Sequence, residues 1–167
     1  AETLARDTVF ISSATMDPDV ARRLAKQLEG SGRHYLDAPI SGGAQRAAQG
    51  ELTILASGSP AAFAKARPAL DAMAAKLYEL GDDAGQGAAI KMINQLLAGV
   101  HIGAASEAIA FAAKQGLDIR KGYAVITASA GNSWMFENRM PHVLEGDYTP
   151  RSAVEIFTKD LGIISDM

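Results

Sequence analysis

Apolar residues in the first half of the chain alternate between short β-rich runs and helical stripes. Thr8–Ser12 reads as a strand, and Asp17-Pro18 after it supplies an N-cap and a first-turn proline. In the helix that follows, Val20, Leu24 and Leu28 recur at four-residue steps, and Gly30 to Gly32 end the pattern. Arg33–Asp37 is the next predicted strand, running through Ala38-Pro39-Ile40 into a loop at Ser41-Gly42-Gly43. Glu51–Ser57 is a third. Ser59-Pro60 opens a second helix with Phe63, Ala66, Leu70 and Met73 on one face, and Lys76–Leu80 closes the series. Strands alternating with helices predict an α/β layer whose strands are substantially parallel.

Beyond Gly81 the period changes. The turn-rich stretch Gly81–Gly87 reads as a hinge, and everything after it reads as helix. A long helix over about Ala88–Gln115 ends at Gly116, a residue suited to a left-handed C-cap. Gly99 and Gly103, flanked by alanines, form a face on which another helix could pack closely. Asp118 caps a helix to about Ala130, and Gly131-Asn132-Ser133 separates it from Trp134–Met140. A last helix from about Ser152 carries Val154, Phe157, Leu161 and Ile164 as an apolar stripe. The division is an α/β lobe over residues 1–81 and an all-helical lobe, built on the long central helix, over residues 82–167.

Composition narrows the function classes. Hydrophobic residues make up 48% of the 167 and charged residues 21%, values of an ordinary globular protein. Net charge is −3 with the basic residues scattered, so no nucleic-acid footprint is expected. Met92–Ala113, the most apolar stretch, is interrupted by Asn94, Gln95, His101, Ser106 and Glu107. It reads as a buried core helix and not as a membrane span. Absence of cysteine excludes disulfides and thiolate metal sites. The first residues show no basic stretch followed by an apolar run, so the expected location is cytoplasmic.

The candidate chemistry centres on Lys91, the one charged residue between Gly87 and His101. Desolvation and the positive end of a helix dipole would both disfavour its ammonium form, which would make it a base near neutral pH. A lysine that snorkels to solvent from a half-buried helix fits the same sequence. Gly85 and Gly87 ahead of it could bring the backbone close to a ligand and leave Lys91 open toward it. They do not form a phosphate loop, because Ile90 and Met92 flank the lysine. Asn94 is on the same face and is either a substrate contact or plain polar surface. Ser41-Gly42-Gly43, at a strand end, could hold a carboxylate or could be a tight turn. Lys159-Asp160 by spacing alone reads as a solvated helix charge pair. His34, His101 and His142 are too dispersed for a local metal site, so no metal is expected. Trp134, Met135 and Phe136 are either core or a pocket wall.

In this order, Asp37-Ala-Pro-Ile-Ser-Gly-Gly43, Gly85-x-Gly87-x-x-x-Lys91-x-x-Asn94 and Lys159-Asp160-Leu161-Gly162 resemble the β-hydroxyacid dehydrogenases, the family of 3-hydroxyisobutyrate and 6-phosphogluconate dehydrogenases. The resemblance implies an NAD- or NADP-dependent oxidoreductase acting on a small hydroxy acid. The segments Gly131–Met140 and Gly146–Ser152 look most like members that use a four-carbon sugar acid such as L-threonate. It further implies that Lys91 is catalytic, that Ser41, Gly42 and Gly43 hold the substrate carboxylate and that Asn94 contacts substrate. Thr15 and Lys159 would contact the cofactor. A homo-oligomer is expected. Ala14 and Met16 replace the usual serine and isoleucine beside Thr15, and Gln95 stands where some members have a second asparagine. Family members begin with a Gly-x-Gly-x-x-Gly turn that this sequence lacks. The expectation is therefore the C-terminal part of a Rossmann-type domain followed by an incomplete helical substrate and dimerisation domain. A non-catalytic, oligomerising fragment is the alternative.

Overall fold

The structure is a computed structural model and describes residues 4–150 and 153–167. The chain divides into two compact units, one of Ala1–Asn94 with Val154–Met167 and the other of Gln95–Ala153.

The first unit is an α/β layer. Strand β1 (Val9–Ser12) pairs in parallel with β2 (His34–Asp37), connected by helix α1 (Pro18–Glu29). The Asp17 side chain accepts from the Asp19 N–H at 2.6 Å, so the predicted cap starts α1. A short strand β3 (Ile40–Ser41) lies antiparallel to β4 (Leu52–Ala56), and β4 pairs in parallel with β5 (Ala74–Glu79). Helix α3 (Pro60–Met73), capped by Ser59, connects β4 and β5. Between β3 and β4 runs a short helix α2 (Gly43–Ala48).

Strand alternation places helices on both sides of β2. Leu36 and Ala38 pack with Leu52, Ile54, Phe63 and Leu70, in the core beneath α3. Tyr35 points the other way, into a cluster with Ala21, Ala25 and Leu28 of α1 and with Ala88. Asp37 shares the parity of Tyr35 and so faces the α1 side. That parity positions the candidate site.

Two sequence expectations need correction here. The strands are parallel in β1–β2 and β4–β5, but β3 runs antiparallel to β4, because the chain turns back after Ser41 through Gly42 at φ 136° and Gly43 at φ 70° and returns as β4. The second concerns helix α4 (Gln86–Lys114), 29 residues long and ending at Gly116 with φ 72°. It is not a buried core helix: only 6% of its most apolar window is buried, and by length and composition it could cross a membrane. Ile90, Ile93, Leu96, Leu97, Val100 and Phe111 are exposed. A helix apolar on every side has no polar face to mark which side its own chain covers. At Gly103 an added Cβ would meet open space, so among the described residues no helix packs closely there.

In the second unit, α5 (Ile119–Thr127) and α6 (Trp134–Glu145) start at the caps Asp118 and Ser133. Ala105, Phe136 and Met140 form its core, with Tyr123 and Phe136 stacked at 5.6 Å. Met135 and Phe136 are therefore buried, whereas Trp134 is exposed. The last helix, α7 (Glu155–Asp166), belongs to the first unit. Ser152, its expected start, and Arg151 lie outside the described residues. Of the expected stripe, Phe157, Leu161 and Ile164 are half-buried and Val154 is exposed.

Candidate active site

The first turn of α4 is held by two buried residues from the sheet. Asp37 and Ser57 exchange backbone hydrogen bonds, the Asp37 N–H donating to the Ser57 carbonyl at 3.0 Å and the Ser57 N–H to the Asp37 carbonyl at 2.8 Å. Both side chains then turn to α4. Asp37 Oδ2 accepts from the N–H groups of Gly85 at 3.0 Å and Ala88 at 2.8 Å, and from Ser57 Oγ at 3.3 Å. Ser57 Oγ in turn accepts from the Gly87 N–H at 3.0 Å. These are orphan donors of a helix start, satisfied by a carboxylate at its positive end. Burial pushes the Asp37 carboxyl above the usual range, while hydrogen bonds from Ala88, Gly85 and Ser57 and the charge of Arg22 act against it.

This changes the reading of the glycines. A Cβ on Gly87 would overlap the Leu55 carbonyl oxygen and approach the Asp37 carbonyl to 3.1 Å, and one on Gly85 would meet the Pro18 carbonyl at 3.0 Å. Both are buried, and their N–H groups are taken. Gly87 brings the helix against β2 and β4, and Gly85 brings its start against α1. Sequence reasoning missed Asp37 and Ser57 as partners of α4. Their buried polar character in strand-end positions was the available signal.

One turn after this lock stands Lys91, buried at 7% exposure. It does not snorkel to solvent. Burial lowers its pKa, the nearby Asp160 carboxylate raises it, and Lys159 lowers it.

Helix α7 supplies the opposite wall. Asp160 is fully buried, the one buried residue of α7, so Lys159-Asp160 is no solvated surface pair. Lys159 Nζ lies 2.8 Å from Asp160 Oδ1 and donates to the Thr15 carbonyl at 2.9 Å. Thr15, Lys159, Asp160 and Lys91 thus form one neighbourhood just past the carboxyl end of β1, the edge where ligands bind in α/β sheets. Asn94 lies exposed one turn beyond Lys91. Among the described contacts none joins Ser41, Gly42 or Gly43 to this group. Their link is the backbone, four residues downstream of Asp37. At Gly43 an added Cβ would meet nothing within 4 Å, which leaves that backbone open. No group of three metal-ligating side chains occurs among the described residues.

The arrangement offers a desolvated amine that can take a proton, a carboxylate beside it and a partly exposed ammonium at the sheet edge. Comparisons with known proteins identify the family. Residues 85–167 match the model for the NAD-binding domain of NADP-dependent 3-hydroxyisobutyrate dehydrogenase, and residues 1–81 match the NAD-binding domain of 6-phosphogluconate dehydrogenase. L-threonate dehydrogenase of Cupriavidus necator is 56% identical over 158 residues, 95% of this chain and 53% of that protein. L-threonate dehydrogenase of Escherichia coli is 52% identical over 166 residues, 99% of this chain and 55% of that protein. The crystal structure of 3-hydroxyisobutyrate dehydrogenase from Salmonella typhimurium superposes with a TM-score of 0.91 at 52% identity, over 98% of this chain and 57% of that one. The chain spans about half the length of the curated relatives it matches. It belongs to the β-hydroxyacid dehydrogenase family, the family of 3-hydroxyisobutyrate and 6-phosphogluconate dehydrogenases.

Proposed function

We propose that the whole protein is an NAD- or NADP-dependent dehydrogenase of a small hydroxy acid, L-threonate in the first instance, with Lys91 as its general base. The observation that carries this reading is the buried amine of Lys91 beside Asp160 and Lys159. Burial favours its neutral form, which can accept the hydroxyl proton of a bound alcohol. Asp160 balances that effect, so that the ammonium formed by proton uptake is stabilised where it forms.

The nicotinamide ring, when bound, supplies the acceptor for the hydride. The residues at the carboxyl edge of β1 suit such a group: Lys159 Nζ is partly exposed, with two of its three donors directed to Thr15 and Asp160. Thr15 and Lys159 are the proposed cofactor contacts. Ser41, Gly42 and Gly43 would receive the substrate carboxylate, since a Cβ at Gly43 would meet nothing within 4 Å and a ligand can approach the backbone there. Asn94, exposed one turn from Lys91, would bond a substrate hydroxyl. Residues 1–81 are then the rear of the dinucleotide-binding domain and 82–167 the start of the substrate domain.

Support for L-threonate comes from relatives above 50% identity that carry that name. Steady-state oxidation of L-threonate and of 3-hydroxyisobutyrate by the full-length protein tests the choice. The expected result is a higher kcat/KM with L-threonate, and preference for 3-hydroxyisobutyrate would overturn it. A homo-oligomer also belongs to this proposal, the exposed apolar residues Ile93, Leu97 and Val100 of α4 being the face a second copy would cover.

A further inference from the structure

Asp37 and Ser57 do more than cap a helix, because the helix they cap carries Lys91. Ala88 lies three residues before the lysine, about 5 Å along the helix axis. We propose that Asp37, with Ser57 as its link to Gly87, is a positioning residue for Lys91. It locks the first turn of α4 to β2 and β4, and its carboxylate neutralises the positive end of the helix dipole that would otherwise act on the lysine amine. The proposal rests on the reading of Lys91 as the base.

Three observations carry it. Asp37 Oδ2 takes two N–H groups of the α4 start, and Ser57 Oγ takes a third, so the orientation of the first turn is set from one point of the sheet. The reciprocal backbone pair between Asp37 and Ser57 fixes that point. Gly87 lets α4 approach so closely that a Cβ there would overlap the Leu55 carbonyl oxygen. A rigid first turn in turn fixes the Cα of Lys91, and an error of about 1 Å at a reacting group can cost about a hundredfold in rate. The same segment continues from Asp37 through β3 to Ser41, Gly42 and Gly43. One residue thereby sets the base and the proposed carboxylate loop in a common frame.

The charge is separable from the hydrogen bonds. Asp37 Oδ1 is buried without a hydrogen-bond partner, so the amide NH2 of an asparagine fits in its place while the amide oxygen keeps the contacts to Gly85 and Ala88. Asp37→Asn therefore removes a charge and preserves the lock. Ser57→Ala removes the Gly87 contact and leaves the charge. The charged groups that act on Lys91 directly are Asp160 and Lys159 from α7; Asp37 would act on it through the helix start it caps, with Arg22 of α1 beside the carboxylate.

The test uses the full-length protein with ε-13C-lysine, following the Lys91 titration by NMR, its resonance assigned by loss in Lys91→Met. Expected in Asp37→Asn is a Lys91 midpoint at lower pH than in the unsubstituted protein. In Ser57→Ala the midpoint stays in place and kcat falls about tenfold with unchanged cofactor Kd. Unmoved titration in Asp37→Asn overturns the electrostatic role, and full kcat in Ser57→Ala overturns the lock. If Asp37→Asn does not fold, Ser57→Ala decides the lock, and the Lys91 titration in Asp37→Ser, whose hydroxyl can still accept from the helix start, decides the electrostatic role in the same way. Turnover by Lys91→Met would instead defeat the assignment of the base, an outcome distinguishable because the titration requires no turnover.

Discussion

Lys91 illustrates how far a single residue can be read. Its isolation in an apolar run is visible in the sequence and predicts a lowered pKa, but the sequence shows neither Asp160, which acts against that shift, nor Asp37, which caps the same helix. Asp37 is separated from Gly85 by 48 residues, so no local pattern could join them. Asp160 was hidden for the opposite reason: beside Lys159, it reads as an ordinary surface pair until the fold buries it. Two pH effects follow. Because the base must be neutral, oxidation should rise with pH through the lowered pKa of Lys91, and kcat against pH should show this limb below the ordinary lysine range. The native state also binds fewer protons than the unfolded chain between that lowered value and the ordinary lysine pKa. Stability should therefore rise with pH across that window, and Lys91→Met should abolish the Lys91 part of the slope in urea unfolding at several pH values.

At the scale of elements, caps and periodicity were legible. Asp17, Ser59 and Asp118 each start the helix expected of them, and Ser133, read only as part of a turn, caps α6 as well. The short helix α2 and the antiparallel β3 were not, because six and two residues are too few to show a period and depend on the Gly42-Gly43 reversal. Gly87 was legible as a special position but for the wrong partner, since a sequence does not tell whether a ligand or a strand lies against a glycine. Gly87→Ala should accordingly destabilise the first unit by about 1–3 kcal/mol, the range of overpacking, through displacement of α4 from β4. Denaturant unfolding with cofactor absent measures it, and an unchanged midpoint would argue against the close contact. In the second unit Phe136, 3% exposed and stacked on Tyr123, should cost about 3–5 kcal/mol when replaced by alanine.

For the whole molecule, an α/β layer followed by helices was readable from the change of period at Gly81 and from three ordered motifs, whereas the compact units divide at Asn94 and α7 belongs to the first of them. Whether α4 is covered was not. Its apolar residues face outward in a chain that spans about half the length of its relatives, and composition alone reads such a helix as core. If a second copy covers that face, light scattering of the full-length protein should give a dimer or larger assembly, and Leu97→Glu, on the exposed side, should lower its mass. The central claim, that a buried lysine serves as base in a hydroxy-acid dehydrogenase, is tested most directly by reduced nicotinamide formed from L-threonate by the full-length protein and by Lys91→Ala. The prediction is turnover by the former and a loss of at least about a hundredfold in the latter, with cofactor affinity retained. Turnover by Lys91→Ala at the rate of the unsubstituted protein would contradict it.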